Sequence, residues 1–502
     1  MRQPCVDTGF VPVLLDSLHS GNIDVKMQAG HDGRDLVGAN NGITVVLTLL
    51  RSLVKNEEPS AGKLRTIACG FLLNLTNTHE VLQEKAISEG VFDILNEYLL
   101  LYQNECGLCN MVLLTISSFV ENDECREKFC SSPLCSTIVN VLESEAGEVH
   151  QETLLDLLIN ISEWDEVKDA LAETSLSNHL IRIIQSNTGK LDDRSQQTIK
   201  MASDLLVLLL TGEKSMETLF CKGEGPVFKE MVKWLESDLV QLQLSSALAV
   251  GNFARKGNVF IQILCNVYIY IYILRNVVYI LKVILTTESV LQIHGLIKHD
   301  NMETDITLQH AALSALRNLA IPVANKSVLL QSGVIDTVLC LMSSEVMAVI
   351  FKLLGVLRML VDGQESAAIQ LGMNKEFLSR LVEWCDVVEH AGVQGEASRL
   401  LAWLVKNGRS AELMRNISRA DGIRHLVSMA TSEHIVMQNE ALVALTLIGA
   451  TILADAALQL KQADLIDTIT TLLQNENTIP EILCNTLVLT KTIIAEGKYH
   501  KN

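Results

Sequence analysis

The stretch HAALSALRNLAIPVANKSVLLQSGVIDTVLCLM, residues 310–342, decides the fold. Ala312, Ala315, Leu316 and Leu319 fall at the i, i+3, i+4 and i+7 spacing of one helix face. Gly333 follows as a turn, and Val334 opens a second apolar helix, VIDTVLCLM. Helices of this kind are apolar on several sides and need neighbours to cover them.

The same phrase returns along the chain. Its turn-and-helix half appears as Gly9-Phe10 with VPVLLDSL, Gly42-Ile43 with TVVLTLLRSL and Gly90-Val91 with FDILNEYL, then as Gly225-Pro226 with VFKEMVKWL and Gly422-Ile423 with RHLVSMA. Weaker copies start near Pro133, Ser177, Met373 and Ala463. Its amphipathic half appears as IACGFLLNLTN (67–77), LLDLLINISE (154–163) and SALAVGNFAR (246–255). Neighbouring copies lie about 40 to 50 residues apart, the period of armadillo and HEAT repeats. The expected fold is all-α: a right-handed superhelical solenoid of about ten armadillo repeats.

Composition agrees. Among 502 residues there are 7 Pro and 28 Gly, so helix breakers are scarce, and 48% are hydrophobic, enough for a large core. With only 4 Trp, 7 Tyr and 11 Phe, an all-β sandwich is excluded. The formal charge of −19 repels phosphate backbones and anionic lipid, so nucleic acid is not an expected partner and basic groups are. The opening MRQPCVDTGFVPVLLDSL lacks the apolar run and cleavage site of a secretory signal, which points to the cytosol. Twelve unpaired Cys read as reduced thiols.

Catalytic chemistry finds no foothold. There is no phosphate-binding loop, H-E-x-x-H, G-x-S-x-G or dinucleotide fingerprint, and Gly212-Glu213-Lys214-Ser215 has only the tail of the first. No enzyme, cofactor or metal is expected. Cys106 and Cys109 have zinc-knuckle spacing, with Cys125, Cys130 and Cys135 nearby, yet no second close pair completes a site. The run that follows, CNMVLLTISSF, reads as a helix, which makes these core and surface thiols. The sequons at Asn74, Asn160, Asn325 and Asn416 carry no meaning without secretion.

Two segments break the pattern. Only 33 residues separate Gly9 from Gly42, and a helix-length piece is missing after Met27. VFIQILCNVYIYIYILRNVVYILKVIL (259–285) holds four of the seven Tyr and alternates like a strand. It is a poor membrane span, since extending it to about 20 residues buries Arg275 and Lys282. No stable membrane insertion is expected. The expected organisation is therefore armadillo repeats over 1–258, an atypical apolar insert over 259–287, and armadillo repeats over 288–502.

Candidate site residues come from position and charge. Asn74, Asn160, Asn252 and Asn318 hold one place near the ends of the amphipathic helices, although Asn is a mediocre helix former. Two readings stay open: an amide for an extended partner in the groove, or a cap to neighbouring backbone. Residues 143–173 carry ten carboxylates against Lys168 alone, and Glu143, Glu145, Glu148, Glu152 and Asp156 form the expected acidic patch.

HAALSALRNLAIPVANK (310–326), FKLLGVLRMLVDGQ (351–364), LVEWCDVVEHAGVQGE (381–396) and TSEHIVMQNEALVAL (431–445) closely resemble the smg GDS family, the armadillo-repeat GDP-dissociation stimulators of small GTPases. The resemblance spans nearly the whole chain except 259–285. It implies a cytosolic protein, with possible endoplasmic-reticulum, mitochondrial or nuclear association. It also implies binding of Rho-, Rap- and Ras-type GTPases with polybasic, prenylated tails, promotion of GDP loss, and escort between membrane and cytosol. It implies a GTPase-binding groove at Asn252 and Asn318 with Arg255, Arg317, Asn74 and Asn160. The family's stretch before MRQPC is lacking, and AEGKYHKN is a shorter end than the family's.

Two other functions compete. A karyopherin-like adaptor for basic import peptides pairs each groove Asn with a Trp four residues earlier. Here those positions are Gly70, Asp156, Leu248 and Ser314, and Trp403 before Asn407 is a single instance. A catenin-like scaffold has a basic groove, whereas this chain is acidic.

Overall fold

A computed structural model describes residues 41–56, 58, 61–122, 125–254 and 299–499, and every regular element among them is helical. The expected repeat at Gly9, the short stretch after Met27, Arg255 and the run 259–285 lie outside the described residues. The chain divides into two compact units, Met1–Glu230 and Met231–Asn502. That division falls inside the helix Pro226–Trp234. The partition at 258 and 287 stays a proposal from sequence.

Each complete repeat has three helices rather than the two that the recurring phrase suggests. One runs Glu80–Ser88, Val91–Tyr102, Cys106–Val120. The first member recurs as Asp165–Ala172, Glu213–Phe220, Glu365–Met373 and Ala411–Arg419. These helices have eight or nine residues, too short for an apolar period to declare itself.

The long third helices position the site. In the first unit they are α1 (Ala61–Thr76), α2 (Cys106–Val120), α3 (Glu145–Ile161) and α4 (Asp193–Leu209). In the second unit they are α5 (Val240–Ala254), α6 (His299–Leu319), α7 (Met347–Val361), α8 (Ala391–Gly408), α9 (Ile435–Gln462) and α10 (Pro480–Tyr499). Within each unit successive long helices pack side by side. Several begin well before the windows read from sequence, at 61, 145, 240 and 299 rather than 67, 154, 246 and 312. Their leading turns are largely polar, so hydrophobic periodicity starts later than the helix does.

Pro133, Ser175 and Asn374 precede their second helices at negative φ, but several other such turns use a left-handed residue. Gly90 (φ 77°) and Gly333 (φ 74°) supply it without the steric cost of a Cβ. At Gly42 and Gly422 the preceding residue takes the role, Asn41 at φ 60° and Asp421 at φ 65°, two residue types that tolerate this conformation.

Packing is dominated by Leu, Ile and Val. In the first unit the edge-on contacts Phe92–Phe119 (5.8 Å), Phe92–Phe129 (5.6 Å) and Phe129–Trp164 (6.0 Å) tie three repeats together. Burial pushes the Cys69 and Cys135 thiols up to about 12 and Cys109 to about 11, which keeps them protonated and inert. Cys106 is exposed one turn from buried Cys109 on α2, and no metal-binding group of three His, Cys, Asp or Glu converges among the described residues. Helix α9 is long and apolar enough to cross a membrane, but it breaks at Ile452 and packs between α8 and α10. Its second piece serves as the first helix of the next repeat.

Candidate partner-binding face

Packing the long helices side by side leaves a stripe of α3 uncovered. On α3 that stripe reads Glu148, Glu152, Asp156, Asn160, four residues apart and all exposed, with exposed Glu145 in the first turn. The helix bends between the first two at His150 (φ −106°), whose ring is buried. No Lys or Arg pairs with Glu145, Glu148, Glu152 or Asp156 among the described residues. The nearby cations are taken elsewhere: Lys168 by Asp165 at 2.8 Å and Lys214 by Glu173 at 3.5 Å.

Glu143 stands apart from its expected neighbours. It ends the preceding helix, Leu134–Glu143, and its Oε1 is buried without a hydrogen bond. It lies near His179, whose ring burial holds neutral, with Arg182 adding to the effect and Glu143 opposing it. The acidic stripe is therefore Glu145, Glu148, Glu152 and Asp156.

The four Asn residues divide. Asn74 and Asn160 are exposed near the ends of α1 and α3. In the second unit Asn252 is half-buried and its side chain makes no hydrogen bond among the described residues. Asn318 donates from Nδ2 to the Gly251 carbonyl at 2.9 Å, across the α5–α6 packing. That carbonyl is one of the last four of α5, where intrahelical donors run out. The Nδ2 of Asn318 is thus spent on neighbouring backbone, while its Oδ1 makes no hydrogen bond among the described residues. Asn318→Ala is expected to lower stability by about 0.5–1.5 kcal/mol. Asn252→Ala should change it by less than about 0.5 kcal/mol. Parallel melting curves test this, and the reverse order would remove the Asn318–Gly251 bond from the account.

A charged ladder in the second unit escaped the sequence reading. Arg358 on α7 holds Glu396 on α8 through two bonds, Nε–Oε2 at 2.7 Å and Nη2–Oε1 at 3.0 Å. Arg399 on α8 holds Glu440 on α9 in the same way, with both bonds at 2.8 Å. Glu396 also reaches Arg399 at 3.4 Å, and the Arg358 guanidinium stacks 5.0 Å from the Trp403 ring centre. The partners lie 38 and 41 residues apart. Opposite charges offset by one repeat were the available signal. Arg317, on α6, is half-buried and lies over Gly355 of α7.

The one Trp–Asn pair of import-receptor type is closed to peptide. Asn407 Oδ1 accepts from the Gly363 amide at 2.9 Å, and Nδ2 donates to the Trp403 carbonyl at 2.8 Å.

Successive three-helix repeats whose long helices pack side by side define an all-α protein of the armadillo-repeat class. Rap1 GTPase-GDP dissociation stimulator 1-B of Xenopus laevis is 38% identical over 511 residues, covering 100% of this chain and 81% of that protein. GTPase-GDP dissociation stimulator vimar of Drosophila melanogaster is 31% identical over 475 residues, covering 87% of this chain and 71% of that protein. The chain belongs to the family of GTPase-GDP dissociation stimulators. An engineered protein of known crystal structure matches with a TM-score of 0.66 at 18% identity, covering 89% of this chain and 98% of that one, a likeness of fold alone. No family model matches the chain.

Proposed function

We propose that this chain binds a small GTPase and promotes release of its GDP, with no covalent chemistry of its own. The observation that carries this is the 38% identity with a Rap1 GTPase-GDP dissociation stimulator across all of this chain. The partners are Rap-, Rho- and Ras-type GTPases whose C-terminal tails are polybasic and prenylated, met in the cytosol and escorted there from membranes. The unpaired carboxylates of α3 support this reading, because a stripe of one sign attracts a tail of the other and speeds encounter. To release nucleotide, the chain must hold the nucleotide-free GTPase more tightly than the GDP-bound form.

The test mixes the chain with Rap-type and Rho-type GTPases carrying a fluorescent GDP. Release should exceed the spontaneous rate and saturate with the chain's concentration. If no GTPase loses GDP faster, the proposal falls.

A further inference from the structure

We propose that a cleft between two second helices of the Met231–Asn502 unit is a docking site for a basic side chain, arginine or lysine, carried by an extended segment of a partner protein. Its walls are second helices, so it is distinct from the face that the long helices present.

The cleft has a volume of about 600 Å³. One wall is the helix Val334–Leu339 with the tighter helical turn Cys340–Ser343 that continues it. The other is Lys375–Cys385 of the next repeat. Leu339 and Met342 supply part-buried apolar surface, which suits the methylene stem of a long side chain.

The polar groups decide the sign of what enters. Arg380 is the only cation in this lining among the described residues, and it is already engaged. Its Nη1 meets Glu383 Oε2 at 2.7 Å, its Nε donates to the Met342 carbonyl at 3.3 Å, and its guanidinium lies 5.4 Å from the Trp384 ring centre. Glu376, one helical turn before Arg380, lines the same cleft with no hydrogen bond or ion pair among the described residues. The Ser343 and Ser379 hydroxyls stand there equally unpartnered. One carboxylate and two hydroxyls are thus left over, all able to accept a hydrogen bond.

Arg380 shows what this cleft holds, because its guanidinium already reaches from one repeat to a carbonyl of the other. A cation brought from outside would find Glu376 where Arg380 finds Glu383. An anion would meet the Glu376 charge with no free cation to offset it. A purely apolar ligand would strip water from that carboxylate and return nothing.

Cys340 makes the test specific, because its exposed thiol lines the cleft and reports occupancy through alkylation. The probes are acetyl-Ala-Leu-Arg-Leu-Ala-amide and the same peptide with Glu in place of Arg. The reagent is iodoacetamide, with each cysteine followed by mass spectrometry. The arginine peptide should slow alkylation of Cys340 in the unaltered chain and leave that of exposed Cys484 unchanged. The concentration giving half-protection should rise about tenfold in Glu376→Gln, where a charge-assisted bond becomes a neutral one, and Glu376→Lys should abolish protection. Glu376 is exposed, so both variants should keep the melting temperature of the unaltered chain. Cys340 alkylation that the arginine peptide never slows overturns the inference. So does equal protection by the glutamate peptide, which would make the cleft merely apolar. Equal protection of Cys484, or protection that survives Glu376→Lys, overturns it as well.

Discussion

Glu396→Ala is expected to destabilise the Met231–Asn502 unit by about 3–5 kcal/mol, the range for removing one partner of a buried ion pair. Arg358 is only 4% exposed, stacked on Trp403 and gripped through two bonds by Glu396. Without that carboxylate the guanidinium stays charged, because it cannot lose its proton, and it has neither water nor an acid to face. Removing both members, as Arg358→Met/Glu396→Leu, should recover most of the loss, since apolar groups of similar volume replace a costly desolvated pair. Arg399 keeps Glu440 in either variant. Urea unfolding followed by the fluorescence of Trp384 and Trp403 reads this unit, and both variants are needed. A single variant that costs under about 1 kcal/mol would mean the pair is solvated.

The second large effect is on binding. Glu148→Lys/Glu152→Lys/Asp156→Lys should weaken capture of a polybasic tail peptide on the order of a hundredfold, taking about 1 kcal/mol for each reversed surface charge. All three residues are exposed and unpaired among the described residues, so stability should scarcely change. Association with the unaltered chain should slow as salt rises to 0.15 M, where the Debye length falls to about 8 Å. The variant should lose or invert that dependence. Glu143→Lys belongs outside this group, because its carboxylate is part-buried at the end of another helix. Equal peptide affinity in the triple variant would remove the α3 stripe from the function.

Much of this was legible beforehand, and particular residues show why. The α6 helix announced itself through Ala312, Ala315, Leu316 and Leu319, all buried in the structure. The turn glycines Gly90 and Gly333 do take the left-handed conformation. Glu148, Glu152 and Asp156 are spaced by four, so a helical reading alone lines them up with Asn160. The short first helices were not legible, since eight residues make barely two turns. Nor was the fate of Asn318, whose partner Gly251 lies 67 residues away.

Sequence by itself thus determined the class of fold, because a repeated amphipathic period can bury its apolar faces only by stacking on copies of itself. It also determined the family, and it showed an acidic run over residues 143–173. Tertiary structure decided which polar groups are already spent. Glu396, Asn407 and one end of Asn318 are held by neighbouring repeats, while the α3 carboxylates, Arg317 and Lys352 are left unpaired among the described residues. The physical reason is range. Periodicity is local and survives in any window of a dozen residues, whereas pairing depends on which rung of the next helix lies within about 3 Å. At 355 a glycine lies under Arg317, three residues before Arg358, as Glu396 lies three before Arg399.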